Sequence, residues 1–236
     1  MLFRSPVTPA VYVYESPVRL WHGLNALAIV VLAVTGYLIA APLASVSGEA
    51  SDHYVMGYIR FAHFAAGYVL AVALVFRVYW AYAGNEHARQ IFLPPLLKVH
   101  FWQGVWHEVL WYAFLAKEPR KYIGHNPLAL LAMHFVFVWA VLFMIVTGFA
   151  LYGEGAGAGH WSHVLFSSWV LPLFGGSQSV HSWHHLVMWL IVSFVLIHIY
   201  VAIREDKLSG QSMLSTIASG WRTFKDDKPV DDAHSS

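Results

Sequence analysis

Apolar residues gather in four long runs, and polar residues collect almost entirely between them. A hydrocarbon core about 30 Å thick needs on the order of 20 residues of helix. The runs at residues 20–41, 56–83, 127–152 and 181–203 meet that length. The pattern predicts an all-α integral membrane protein, a four-helix transmembrane bundle. Between the second and third runs lies "FWQGVWHEVLWYAFLAKEPR". There Trp102, Trp106, Trp111 and Phe114 predict an interfacial helix lying along the membrane. "HWSHVLFSSWVLPLF", before the fourth run, is too short to span and is broken by Pro172. It reads as interfacial or packed against a partner. Residues 1–221 are expected to form one membrane domain, and residues 222–236, ending in "VDDAHSS", a solvated tail. The first eighteen residues hold three prolines and a glutamate and lack the long apolar core of a cleavable signal. "AAPLA", from Ala40, only loosely resembles a cleavage site.

Charge orients these spans. Arg4 and Arg19 precede the first. Arg89, Lys98, Lys117, Arg120 and Lys121 separate the second from the third, and Arg204, Lys207, Arg222, Lys225 and Lys228 follow the fourth. The connections at residues 42–55 and 153–180 carry none. Twelve against zero predicts that both termini and the 84–126 loop are cytoplasmic. Arg60 and Arg77 lie inside the second span. Arg77, deep in an apolar run, requires a polar or anionic partner.

Composition narrows the chemistry. The chain is 58% hydrophobic and 11% charged, with net charge +1, so nothing suggests a nucleic-acid or polyanion partner. With no cysteine, thiolate metal sites, iron–sulfur clusters held by this chain and covalent haem attachment are excluded. Fifteen histidines stand against that zero.

Four of them sit in "HSWHHLVMWLIVSFVLIH": His181, His184, His185 and His198. Imidazoles in lipid are functional candidates by default. At 1.5 Å and 100° per residue, His184 and His198 lie roughly 21 Å apart along a helix and within about 40° of one face. His63, early in the second span, shares the outer depth of His184. His22, in the first turn of the first span, shares the inner depth of His198. Two stacked histidine pairs suit two b-type haems, which take axial histidines and apolar walls. Gly36 and Gly67 supply room for a macrocycle, although glycine is common in membrane helices anyway. Zinc or copper would need three or four ligands at one depth. His134 also lies at the inner depth and competes with His22. It precedes Thr147-Gly148 by the offset by which His22 precedes Thr35-Gly36, a faint internal repeat.

"RLWHGLNALAIVVLAVTG" (19–36) and "HSWHHLVMWLIVSFVLIH" (181–198) resemble the two signatures of the b-type cytochrome subunit of membrane-bound nickel–iron hydrogenases. "PLASVSGEA", "MGYIRFAHFAAG", "WQGVWHEVLWYAFLAKEPR", "IGHNPLA" and "REDKLS" extend the resemblance from about Val13 to Trp221. One departure is Gly23, where the family usually has tryptophan; that removes an aromatic wall rather than a ligand. The resemblance implies two non-covalent haems b, His22 with His198 on the cytoplasmic side and His63 with His184 on the outer side. It leaves His181 and His185, positions where arginine serves equally, as polar surroundings, and it asks for no histidine at 134.

The resemblance further implies an electron-transfer subunit in the cytoplasmic (inner) membrane. Electrons from a periplasmic nickel–iron large subunit would arrive through an iron–sulfur small subunit and reach a quinone near the cytoplasmic side. By depth, Arg19, Arg60 and Arg204 are candidates for propionate pairing, and Arg77 with residues 100–117 for the quinone. The rival readings are a formate dehydrogenase cytochrome subunit, a histidine-using proton or metal transporter, and a pure anchor.

Overall fold

The computed structural model describes residues 10–44, 49 and 53–224. Arg4, part of "PLASVSGEA" and residues 225–236 of the expected tail lie outside the described residues. Four helices are long and apolar enough to cross a membrane: α1 (Ser16–Ala40), α2 (Val55–Ala83), the third span Pro127–Ala156 and α8 (Ser177–Leu208). The third begins as α5 (Pro127–Leu131), passes through a π-helical stretch (Ala132–Val138) and continues as α6 (Trp139–Ala156). The last three spans cover their expected runs and overshoot some of the ends, whereas α1 begins earlier than expected and stops at Ala40, one residue short of its run. α8 gains the most, because Arg204, Glu205, Asp206 and Lys207 remain helical where the apolar run has ended. Between 11% and 17% of each span's most apolar window is buried within the chain, so most of that surface is left to face lipid.

Short elements fill the connections: α3 (Glu86–Arg89), α4 (Val99–Tyr112), α7 (Ser168–Leu173), α9 (Met213–Ser219), and the strands β1 (Ala10–Tyr12) and β2 (Trp221–Thr223). α4 is the expected Trp-rich helix, with Trp102 and Trp106 exposed. The segment before α8 is helical, a π turn (His163–Ser167) leading into α7, with Pro172 tolerated in the last turn.

The chain divides into two compact units. The first comprises the residues up to Leu20, Arg77–Val138 and the residues from Phe194 on; the second comprises Trp21–Phe76 and Trp139–Ser193. In the first unit β1 pairs antiparallel with β2, Val11 opposite Arg222. Arg222 and Thr223, at the start of the expected tail, are paired here with Val11 and Ala10. Arg222 is buried and donates to the carbonyls of Tyr122 and Gly124. Asn85 caps α3 through Ala88 N–H and donates to the Val13 carbonyl, while Glu15 accepts from Trp80 and Asn85. Val13, Tyr14, Val18 and Ala88 form the apolar core beneath these bonds.

The second unit holds parts of α1, α2, α6 and α8 together with the π turn and α7. Phe64 and Tyr68 of α2 meet Tyr152 and Phe149 of α6 edge to face, and Tyr37 of α1 meets Trp189 of α8. Ala150, Val170 and Val180 form one buried apolar cluster in it, and Ser167 donates to the Ala150 carbonyl at 2.6 Å. A Cβ on Gly153 would stand 2.5 Å from the His163 backbone nitrogen, so only glycine admits this close approach.

Candidate functional site: a threonine-held histidine pair

Thr35 and Thr147 are buried in the last third of their spans, and each turns its hydroxyl first to its own helix. Thr35 donates to the Val31 carbonyl at 2.6 Å and Thr147 to the Phe143 carbonyl at 2.8 Å, both four residues back. β-Branched hydroxyl residues satisfy themselves this way in apolar helices. A hydroxyl has one hydrogen and two lone pairs. With that hydrogen committed, each oxygen can only accept from a further partner. The partner is a histidine on the following span: His63 Nδ1 lies 2.9 Å from Thr35 Oγ1, and His184 Nδ1 lies 2.7 Å from Thr147 Oγ1.

The tautomer follows. Each Nδ1 carries the proton, so each Nε2 carries a lone pair. Metal-ligating histidines are prepared in this way, with one nitrogen tied to an acceptor and the other left to bind. Glycines clear space beside both. A Cβ on Gly36 would come 3.2 Å from His63 Cε1, and one on Gly148 would come 3.5 Å from His184 Cε1. Met188, buried on α8, also faces Gly36.

Such a donor set fits a group that takes one imidazole on each face and is walled by apolar and aromatic side chains, as a b-type haem is. Among the described residues no three His, Asp or Glu side chains gather as zinc or copper would require.

The other candidates are placed as follows. Gly67 has no neighbouring atom within 4 Å, so the protein itself does not demand glycine there. Arg60 is exposed on α2. His185 Nε2 accepts from the Trp189 indole at 3.0 Å, and His181 Nδ1 lies 3.0 Å from the Ser177 carbonyl. Both rings thus bond within their own helix. His22 lies in the second unit, half-buried. His198 lies in the first unit, its ring stacked on Phe194 at 6.0 Å. His134, in the π-helical stretch, bonds through Nδ1 to the Ile91 carbonyl at 3.0 Å. Arg19 donates to Ser16 and to the Ala218 carbonyl. Arg204 bonds to Glu205 and the Trp111 carbonyl. Arg77, 2% exposed, donates to the Ala88 carbonyl and lies over the Phe92 ring, which supplies the polar partner its burial demands.

Thr35 and Thr147 carry the tautomer, and sequence reading found them only as part of a repeat. The signal was present: a Thr-Gly dipeptide recurs late in two spans, each followed by a span with a histidine in its first third. What no pattern gave is that the threonine meets the histidine of the next helix.

Membrane-length helices around two histidines, each with Nε2 presented, define the class of membrane-embedded b-type cytochromes. The comparisons agree. The model of the prokaryotic cytochrome b561 family matches residues 13–220, and the chain belongs to that family. It is 63% identical over 220 residues to the probable Ni/Fe-hydrogenase B-type cytochrome subunit of Azotobacter chroococcum mcd 1, covering 93% of this chain and 91% of that one. The protein of the same name from Cupriavidus necator is 58% identical, with 92% of this chain and 88% of that one covered. The probable Ni/Fe-hydrogenase 1 B-type cytochrome subunit of Escherichia coli K12 is 49% identical, with 91% of each covered.

Proposed function

We propose that this chain is the di-haem cytochrome b subunit of a nickel–iron hydrogenase. It anchors that enzyme to the cytoplasmic membrane and carries electrons from its iron–sulfur subunit, on the periplasmic side, to the quinone pool. The observation that carries the reading is the pair of threonine-held histidines with Nε2 presented. The names of the relatives supply the hydrogenase partner. Haem b, when bound, supplies one-electron redox chemistry; the protein supplies ligation, orientation and a dry surrounding. His63 and His184 hold the outer haem, with Thr35 and Thr147 fixing their tautomers and Gly36 giving the His63 ring its room. His22 and His198 hold the second haem, by the spacing along the spans and the matching signatures. Both termini face the cytoplasm, by the distribution of lysine and arginine.

A reduced-minus-oxidised absorption spectrum, with haem quantified per chain, tests this. Two haems b are expected in the parent and one in His184→Ala. His22→Ala is expected to lose the other, whereas His134→Ala keeps both. A haem-free chain would overturn the reading, and loss of haem in His134→Ala would reassign the second ligand. Co-purification with a nickel-containing subunit, rather than a formate-oxidising one, tests the partner.

A further inference from the structure

The first unit holds a second cluster that the ligand pair leaves unused. Glu108 of α4 and Glu205 of α8 are 2% and 4% exposed, and both line one small cleft with Arg120, Tyr122, Asn126 and Arg222. Two buried carboxylates at one site resist ionising together. The surroundings decide which gives way. Glu205 Oε1 accepts from Arg204 at 3.1 Å and from the Trp111 indole at 2.8 Å, two donors that Glu108 lacks. Arg204 is committed there: it also donates to the Trp111 carbonyl at 3.0 Å and is packed by the rings of Trp111, Tyr112 and Phe114. Arg222 spends its hydrogen bonds on the Tyr122 and Gly124 carbonyls. Among the described residues Glu108 meets His107 of its own helix at 3.5 Å and the Tyr122 hydroxyl, and the charges of Arg120 and Arg204 also act on it.

Glu205 also follows His198 by seven residues on one continuous helix. That is about 10 Å along the axis and within roughly 20° of the same face. Charge on the pair and charge at His198 therefore act on each other through a weakly polar interior.

We propose that the Glu108–Glu205 pair is a proton-binding site coupled to the redox state of the group held by His198. The inference rests on the haem assignment above. Glu108 carries the shared proton. Where Glu108 is ionised, an electron placed on the group held by His198 would lower the local positive charge, and Glu108 would then take one proton from water through the cleft. When the electron leaves, that proton is released. One electron and one proton move in each direction, and the coupling is reciprocal by linkage. Burial, with the Glu205 charge second, pushes the Glu108 carboxyl up to about 8, which places the exchange in the working pH range.

The test uses the full chain in membranes. pH-dependent infrared difference spectra are expected to show a protonated-carboxyl band at pH 7 that titrates away near pH 8. Glu108→Gln should lack it. In Glu205→Gln it should titrate at lower pH, because the repelling charge is gone and Arg204 is released. The midpoint potential of the haem lost in His198→Ala should fall as pH rises through this window, by at most about 59 mV per unit, one tenfold change in proton affinity per tenfold change in proton concentration. It should be flat in Glu108→Gln. A band that survives Glu108→Gln, no band at all, or a pH-independent potential in the parent overturns the inference. A chain without a His198-dependent haem overturns the haem assignment and the coupling with it, while the carboxyl band separately reports whether the pair holds a proton.

Discussion

The two units bury different kinds of polar group. In the second, the buried polar side chains are neutral: Asn25, Thr35, Thr147, Ser162 and Ser167. In the first, Arg77, Glu108, Lys121, Arg204, Glu205 and Arg222 are all buried. A neutral hydroxyl satisfies its own helix and still orients an imidazole, at little desolvation cost. Buried charges cost far more and persist only where carbonyls, rings and counter-charges surround them. The difference teaches a division of labour. The second unit ties two imidazole rings with neutral hydroxyls, and the first keeps charge inside the fold.

The largest expected effect comes from removing a ring of the second unit. His63→Ala or His184→Ala should each abolish one haem, read from the pyridine haemochrome and the α-band, with hydrogen-dependent quinone reduction lost in the complex. Removing only the hydroxyl comes next. Thr147→Val keeps shape but takes the acceptor from His184 Nδ1; partners of this kind are worth about 10–100-fold in affinity. Haem titration should show a loss of that order, and Thr35→Val should do the same for His63. If both valine variants bind haem as the parent does, the neutral hydroxyls are packing alone and the comparison fails.

In the first unit the expected effect is on pH dependence. Glu108 has its folded-state pKa raised from 4.5 to about 8 by burial and by Glu205. Between those values the folded state binds more protons than the unfolded state, so stability falls as pH rises through the window and levels off above it. Thermal unfolding in detergent should therefore show a parent more sensitive than Glu108→Gln to raising the pH from 6 to 8. His125 works at the other end. Burial, with the charge of Arg222 second, holds its ring down to about 3, so stability should also fall as pH drops below 6.5 toward 3, and less so in His125→Gln. The smallest effects are steric. Gly36→Ala must displace the His63 ring by a few tenths of an ångström, Gly148→Ala meets ordinary contact, and Gly67→Ala meets nothing. Haem retention should decline in the reverse of that order.

The spans were legible because a bilayer imposes a length of apolar residues that any helix crossing it must show. Their ends were less so. The charged turn of α8 after Ile203 and the pairing of Arg222 with Val11 depend on hydrogen bonds that no hydrophobic pattern records. The candidate histidines were also legible, since an imidazole in an apolar run stands out by type, and helical spacing sorts them by depth.

The sequence by itself determined four membrane-length helices, a signed distribution of charge, and a short set of histidines at two depths on them. Only the tertiary structure decided which nitrogen of His63 and His184 is tied, because Thr35 and Thr147 reach them across 28 and 37 residues. It alone turned His185 to Trp189, gave Arg77 the Ala88 carbonyl, and brought Glu108 to the cleft that Glu205 lines. The reason is physical. Burial in lipid acts on each residue separately and so is written along the chain. A hydrogen bond between helices needs two groups whose approach is set by packing, and packing exists only once the helices have met.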